Sequence, residues 1–268
     1  MIDSLHALLR RLGLNAVALF AATIVIATVI AAIITLIANA SAATPAEEDE
    51  MIAKSLATML RASRTVISVN QEKINNPALG NKGLDGKSVV AEAVKIYRET
   101  VGVDPASIDA TSRHGKLLRM EMDAIADVLD VHQQTINRRG VGFKGFIPAV
   151  FGRQVSESFG HRAVGLAEIK VTAPSKLVRN PKARADAWEN AVIVEKLMSQ
   201  SWPKDQIFSE VSKANNKTAY RTAMPEYYAA SCLSCHGSPA GEIDITGYPK
   251  EGGKVGDLGG VISITLYR

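Results

Sequence analysis

Apolar residues follow three rhythms along this chain. From Ala16 to Ile37 there is no alternation: the stretch is almost purely Ala, Ile, Val, Leu and Thr, and no charged residue lies between Arg11 and Glu47. As a helix rising ~1.5 Å per residue, that run is long enough for a bilayer core of ~30 Å. From Glu47 to about Asn75 the spacing turns helical, with Ile52, Leu56, Met59, Leu60, Val66 and Ile67 on one stripe. Thr44-Pro45-Ala46-Glu47 supplies its start: Thr as N-cap, Pro in the first turn, Glu three residues on. Beyond Leu166 the period shortens and predicts strands over 166–173, 206–213, 218–224 and 259–266. The middle pair forms a hairpin around Ala214-Asn215-Asn216-Lys217. A helix is expected over 182–201, with Trp188, Val192, Val194, Leu197 and Met198 able to bury one face.

A repeat underlies the helical part. At an offset of 62, Val66, Val69, Gln71, Ile74, Asn75, Gly80, Lys82 and Gly83 recur as Val128, Val131, Gln133, Ile136, Asn137, Gly142, Lys144 and Gly145. Each copy reads as a helix ending at Ile-Asn, a Gly-x-Lys-Gly turn and a second helix, over about 86–101 and 147–159. Chance likeness between amphipathic helices is the competing reading, and the matched turns favour duplication. The class expected is α+β: an N-terminal membrane helix (1–40), a helical stalk holding the first repeat (44–115), and an antiparallel sheet with flanking helices (116–268).

Charge adds a direction to the apolar run. Arg10 and Arg11 precede it and Glu47-Glu48-Asp49-Glu50 follow it, so the rule that positive flanks stay inside places everything after about residue 40 outside the cytoplasm. A cleaved signal peptide competes, with Ala38-Asn39-Ala40 or Ala40-Ser41-Ala42 as cleavage sites. Signal cores usually run only ~7–15 residues, so a retained single-pass anchor is preferred. The 268 residues carry 31 Lys and Arg against 27 Asp and Glu, a net +4 spread evenly. No basic cluster or aromatic–basic stripe points to nucleic acid, and none is expected as a partner.

Chemistry concentrates at Cys232-Leu233-Ser234-Cys235-His236, which uses both cysteines of the protein. Two thiols three apart followed at once by His form the attachment signature of c-type haem. Each sulfur adds to one vinyl group on the same porphyrin edge, and the adjacent imidazole supplies an axial nitrogen to iron. A zinc site wants four N or S ligands, and there is no second Cys pair and no other nearby His. A thioredoxin-like pair should follow a strand of a βαβ unit, which these flanks do not suggest. A structural disulfide has no need of His236. Eight glycines between Gly237 and Gly260 crowd the loop behind the motif, either to let backbone approach a flat cofactor or as a flexible surface loop.

Further residues carry a resemblance. Arg179-Asn180-Pro181, Ala187-Trp188-Glu189, Ser231 through Gly237, and Gly256-Asp257-Leu258-Gly259-Gly260 before the last strand together resemble the Tll0287-like haem domain, over about residues 116–268. The resemblance implies a PAS-like sheet carrying one covalent haem, either alone or as the extracytoplasmic sensor of receptors and kinases. In some relatives the sixth iron ligand is a cysteine from an N-terminal helix. This chain departs from that pattern, having no third cysteine.

Another distal ligand is therefore sought, and His132 is preferred. It shares an apolar helical face with Ile125, Val128, Leu129 and Ile136, and the matching position of the first repeat is Asn70. The competing reading is a core histidine donating to a carbonyl. His161, then Met120, Met122 and Met224, rank behind it, and an empty site stays open. Arg179 and Arg184 are candidates to neutralise haem propionates. The function expected is one-electron transfer by a membrane-anchored periplasmic cytochrome of a bacterial inner membrane, serving an unidentified redox partner, with the stalk as a route to homo-oligomers. A haem-based redox or gas sensor is the alternative. No distal acid–base constellation suggests an enzyme.

Overall fold

The computed structural model describes residues 44–268, so the apolar run Ala16–Ile37 and the anchor expected from it lie outside the described residues. Among the described residues, no helix is long and apolar enough to cross a membrane. Glu48–Arg268 form one compact unit.

Helix α1 (Pro45–Val69) opens with the expected capping box: Glu47 N donates to Thr44 Oγ1, and Thr44 N donates to the Glu47 carboxylate at 2.8 Å. Instead of running on to Asn75, the chain breaks at Asn70, and a single turn, α2 (Gln71–Asn75), follows. Then come α3 (Gly86–Val101), α4 (Arg113–Val131), the one-turn α5 (Gln133–Ile136) and α6 (Pro148–Arg162).

The repeat is real in three dimensions, because the two copies hold each other through equivalent atoms. Lys82 N donates to Asn137 Oδ1 at 2.9 Å, while Lys144 N donates to Asn75 Oδ1 at 3.1 Å. Gln71 Nε2 donates to the Phe146 carbonyl, and Gln133 Nε2 to the Leu84 carbonyl. Every partner sits at the 62-residue offset from its counterpart. The Asn and Gln side chains thus each tie the other copy's turn, while each Lys ammonium bonds carbonyls of its own copy: Lys82 Nζ to Asn76 at 3.1 Å and Lys144 Nζ to Val141 at 2.8 Å.

The sheet has the order β1–β4–β3–β2, antiparallel throughout, from β1 (Ala167–Thr172), β2 (Phe208–Ala214), β3 (Lys217–Tyr227) and β4 (Leu258–Tyr267). The β2–β3 turn is tighter than the sequence suggested: only Asn215 and Asn216 leave the ladder, at φ 49° and 63°. That is the left-handed pair a two-residue hairpin demands, and Asn tolerates it.

One sheet face packs on the helices. Met224, Ile262, Ile264 and Leu266 join Leu56, Leu60, Leu118 and Phe151 in a single buried cluster. Burying each large apolar side chain there contributes about 1.5–3 kcal/mol. The segment expected as a stalk is thus one wall of the core. Its outer edges are pinned as well: the buried Asp49 receives Arg113 at 2.6 Å and Arg268 at 2.5 Å, while Arg61 and Arg64 both reach Glu226.

The other face is covered by α7 (Ala187–Val192) and the wider turn Ile193–Leu197 that continues it. The longer helix expected over 182–201 is cut at its start by the Asp186 N-cap. The wide turn inserts a residue that rotates Val194 and Met198 out, leaving them 56% and 47% exposed.

The helical layer contains one group that burial alone does not favour. Glu121 is fully buried and neither carboxylate oxygen has a partner among the described residues. Burial pushes its pKa well above the usual carboxylate range, so the folded protein holds it protonated. The native state therefore binds a proton that the unfolded chain releases above about pH 4.3, and stability falls as pH rises from there through the folded pKa. Glu121→Gln should remove that slope, raising the unfolding free energy at pH 8 relative to pH 5 by about 1 kcal/mol. An unchanged pH dependence in urea titrations of both proteins would refute it.

Candidate haem-attachment site

β3 carries the chain out of the sheet at Tyr227, and a single helical turn, α8 (Leu233–His236), follows almost at once. Cys232 is the residue before that turn and Cys235 and His236 lie within it, so three residues separated by one turn share one end of the sheet. Both thiols are unbridged and half-buried.

His236 is held from two directions. Its Nδ1 lies 2.8 Å from Glu251 Oε2, and its ring stacks on Tyr228 with centroids 5.0 Å apart and planes 17° from parallel. Nε2 makes no hydrogen bond to the described residues. Glu251 is itself anchored: Arg179 Nε donates to Oε1 at 3.0 Å. The same guanidinium donates to Asp244 Oδ2 at 2.6 Å and to the Cys235 carbonyl at 2.9 Å. Burial works against charge on all three groups, but these hydrogen bonds, together with the Thr246 hydroxyl donating to Asp244 Oδ1 at 2.6 Å, outweigh it. Arg179 is raised, and Glu251 and Asp244 are held below the ordinary carboxylate range.

The loop behind the motif folds back onto it. Gly253 N donates to the His236 carbonyl, Gly252 N to the Gly237 carbonyl, and Gly256 N to the Tyr228 carbonyl. Two of its glycines make room for an aromatic side chain. A Cβ on Gly253 would lie 2.6 Å from the Tyr228 ring, and one on Gly259 only 2.2 Å from it. Gly241, Gly247, Gly252 and Gly256 make turns at φ between 76° and 88°. The Tyr228 hydroxyl is buried without a partner among the described residues, and burial, then the nearby Glu251 charge, pushes its pKa up to about 12.

The remaining candidates fall elsewhere. His132 caps the end of α4, with Nδ1 2.8 Å from the Val128 carbonyl, Nε2 3.2 Å from Gln154 Nε2, and its ring against Phe146. Asn70 makes the matching bond to Val66 in the first repeat, so the position does the same backbone work in both copies. No contact brings His132 to α8. His161 is exposed in the last turn of α6, Met224 is in the core, and Met120 and Met122 pack against it. Arg184 is exposed, whereas Arg179, expected as a propionate partner, spends its guanidinium on Asp244, Glu251 and Cys235.

Tyr228, Asp244 and Glu251 went unread in the sequence. No spacing rule links residue 251 to residue 236, and only loop closure brings them together.

The donor set fits a c-type haem. Two free thiols on one turn suit two vinyl groups, and an imidazole with Nδ1 held and Nε2 unengaged suits axial ligation. Among the described residues, no cluster of three or more His, Cys, Asp or Glu is arranged to hold a bare metal ion. A cavity of about 290 Å³ opens nearby beside Arg61, Asp205, Ile207, Pro225, Glu226 and Tyr227, and none of the three attachment residues lines it.

Residues 42–266 match the family described as Tll0287-like (Tll0287), a span that takes in the helical layer as well as the sheet. No curated protein and no solved structure matches the chain.

Proposed function

The chain belongs to the Tll0287-like family, and from that premise we propose that it is a membrane-anchored, periplasmic monohaem c-type cytochrome that passes single electrons to a protein partner. The observation that carries this reading is the geometry of His236, oriented by Glu251 and Tyr228 beside two unbridged thiols. A bound haem supplies a one-electron iron couple. The protein's own work would be to attach, orient and tune: Cys232 and Cys235 would hold the haem through thioethers, and His236 would offer Nε2. Glu251 fixes the ring, while Arg179 ties Glu251 to the backbone of the attachment turn. The membrane reading rests on the apolar run Ala16–Ile37 and its charged flanks.

Sensing is the second reading, favoured by the Arg61 and Arg64 pairs to Glu226. They join α1 to β3 two residues from Tyr228, so a change at the site has a short path to the helical layer. A low-spin spectrum indifferent to CO and NO supports electron transfer, and ligand displacement by either gas supports sensing.

The test of the whole is direct. Expressed in a host that matures c-type cytochromes, the protein should give a pyridine haemochrome spectrum of the two-thioether type and a mass one haem above the polypeptide. Colourless protein of bare polypeptide mass overturns the proposal.

A further inference from the structure

We propose that Glu251 is a positioning residue that makes His236 an electron-rich axial ligand and so lowers the reduction potential of the iron it binds. This rests on the cytochrome reading above. The usual tie on a ligating imidazole is a carbonyl, a water or a carboxylate, and the three differ in charge. Here it is a carboxylate, 2.8 Å from Nδ1 and only 17% exposed. A full negative charge accepting the Nδ1 proton draws that proton away from the ring and enriches Nε2. The richer nitrogen favours the more highly charged, oxidised iron.

The arrangement is locked to the attachment turn. Arg179 holds Glu251 Oε1 with one nitrogen and the Cys235 carbonyl with another, so the carboxylate cannot swing to solvent without breaking the bond to the motif. Asp244, with no exposed side-chain surface, balances the guanidinium at 2.6 Å. Two carboxylates against one guanidinium leave the cluster at −1 beside the ligand. In a half-buried site that charge is screened less than it is in water and opposes reduction. The protein is thereby suited to give its electron to an acceptor rather than to pull one from a weak donor.

Glu251→Gln keeps the shape and the hydrogen bond but removes the charge. In the haem-loaded full chain it should weaken the preference for oxidised iron about tenfold, a rise in midpoint potential of about 59 mV for a one-electron couple. Haem content by pyridine haemochrome should stay the same. Glu251→Asp should restore part of the shift, which a purely structural role would not do. An unshifted potential with haem intact overturns the inference.

Should the chain take up no haem, the cytochrome reading fails, yet the His236–Glu251 pair stays measurable by ¹⁵N NMR of the full chain. Nδ1 protonated and hydrogen-bonded supports it; protonation at Nε2 with Nδ1 bare overturns it.

Discussion

Replacing Glu189 with Ala should cost the protein about 3–5 kcal/mol, the range seen when one member of a buried ion pair is removed. The carboxylate sits between α7 and the sheet with its side chain 3% exposed. Oε2 accepts from Lys170 Nζ at 2.7 Å on β1, and Arg221 of β3 lies 3.8 Å from Oε1 with its own side chain 4% exposed. Oε2 also accepts from Asp186 N at 2.7 Å, closing the capping box that starts α7. Arg221 then lies over the Trp188 ring at 4.2 Å and donates to Asp186 at 2.6 Å.

The substitution thus removes a carboxylate shared by two cations on different strands. It also leaves an amide at the helix start without its partner. Because total stability is about 5–15 kcal/mol, a loss of this size is a large fraction of it and easily seen in urea unfolding. Glu189→Gln, which keeps the acceptor but not the charge, should lose less. A loss under about 1 kcal/mol for the Ala variant would show that this network contributes little.

That cluster gives the family-like Ala187-Trp188-Glu189 its physical meaning, which sequence alone did not supply. Periodicity located the strands and the two helical repeats, and the cysteine–histidine motif located the turn that bears it, because each is decided by residues within one or two turns of one another. It misplaced the helix over 182–201, where Asp186 imposes a start and a one-residue insertion changes the phase. It also singled out His132, whose apolar surroundings suit a ligand and a core residue equally. The repeat-related bond of Asn70 shows the backbone role that both copies share. The stalk became core because Leu56 and Leu60 share one buried cluster with Ile262 and Ile264, about two hundred residues later, an association no local rhythm encodes. The site divides along the same line. The two thiols and the imidazole are local and legible, whereas Tyr228, Asp244 and Glu251 join them through a loop whose closure depends on turns at four glycines.

The glycines of that loop support the other large prediction. Gly259→Ala should cost about 3 kcal/mol, the upper part of the range for overpacking, and should lower the yield of attached haem. The residue adopts a backbone conformation open to Ala, so strain in φ is not the cause. The cause is the Tyr228 ring, whose Cε1 and Cδ1 would lie 2.2 and 2.4 Å from the new methyl. The ring has nowhere to retreat. Its far edge lies against Gly253, a face stacks on His236, and its backbone is tied to Asp257 O and Gly256 N at 2.9 Å each. Gly259 itself sits where the β3–β4 register slips between Glu226 and Tyr227, so no ladder bond compensates.

Moving the ring rotates the imidazole that presents Nε2, which links the stability loss to the attachment loss. Gly260→Ala, whose Cβ would come no nearer than 3.2 Å to the Thr172 carbonyl, serves as the mild neighbour. The decisive comparison is a double-mutant cycle. In a Tyr228→Ala background the methyl has room, and Gly259→Ala should cost far less than it does alone. Equal costs in the two backgrounds would mean that the glycine is there for some reason other than the ring.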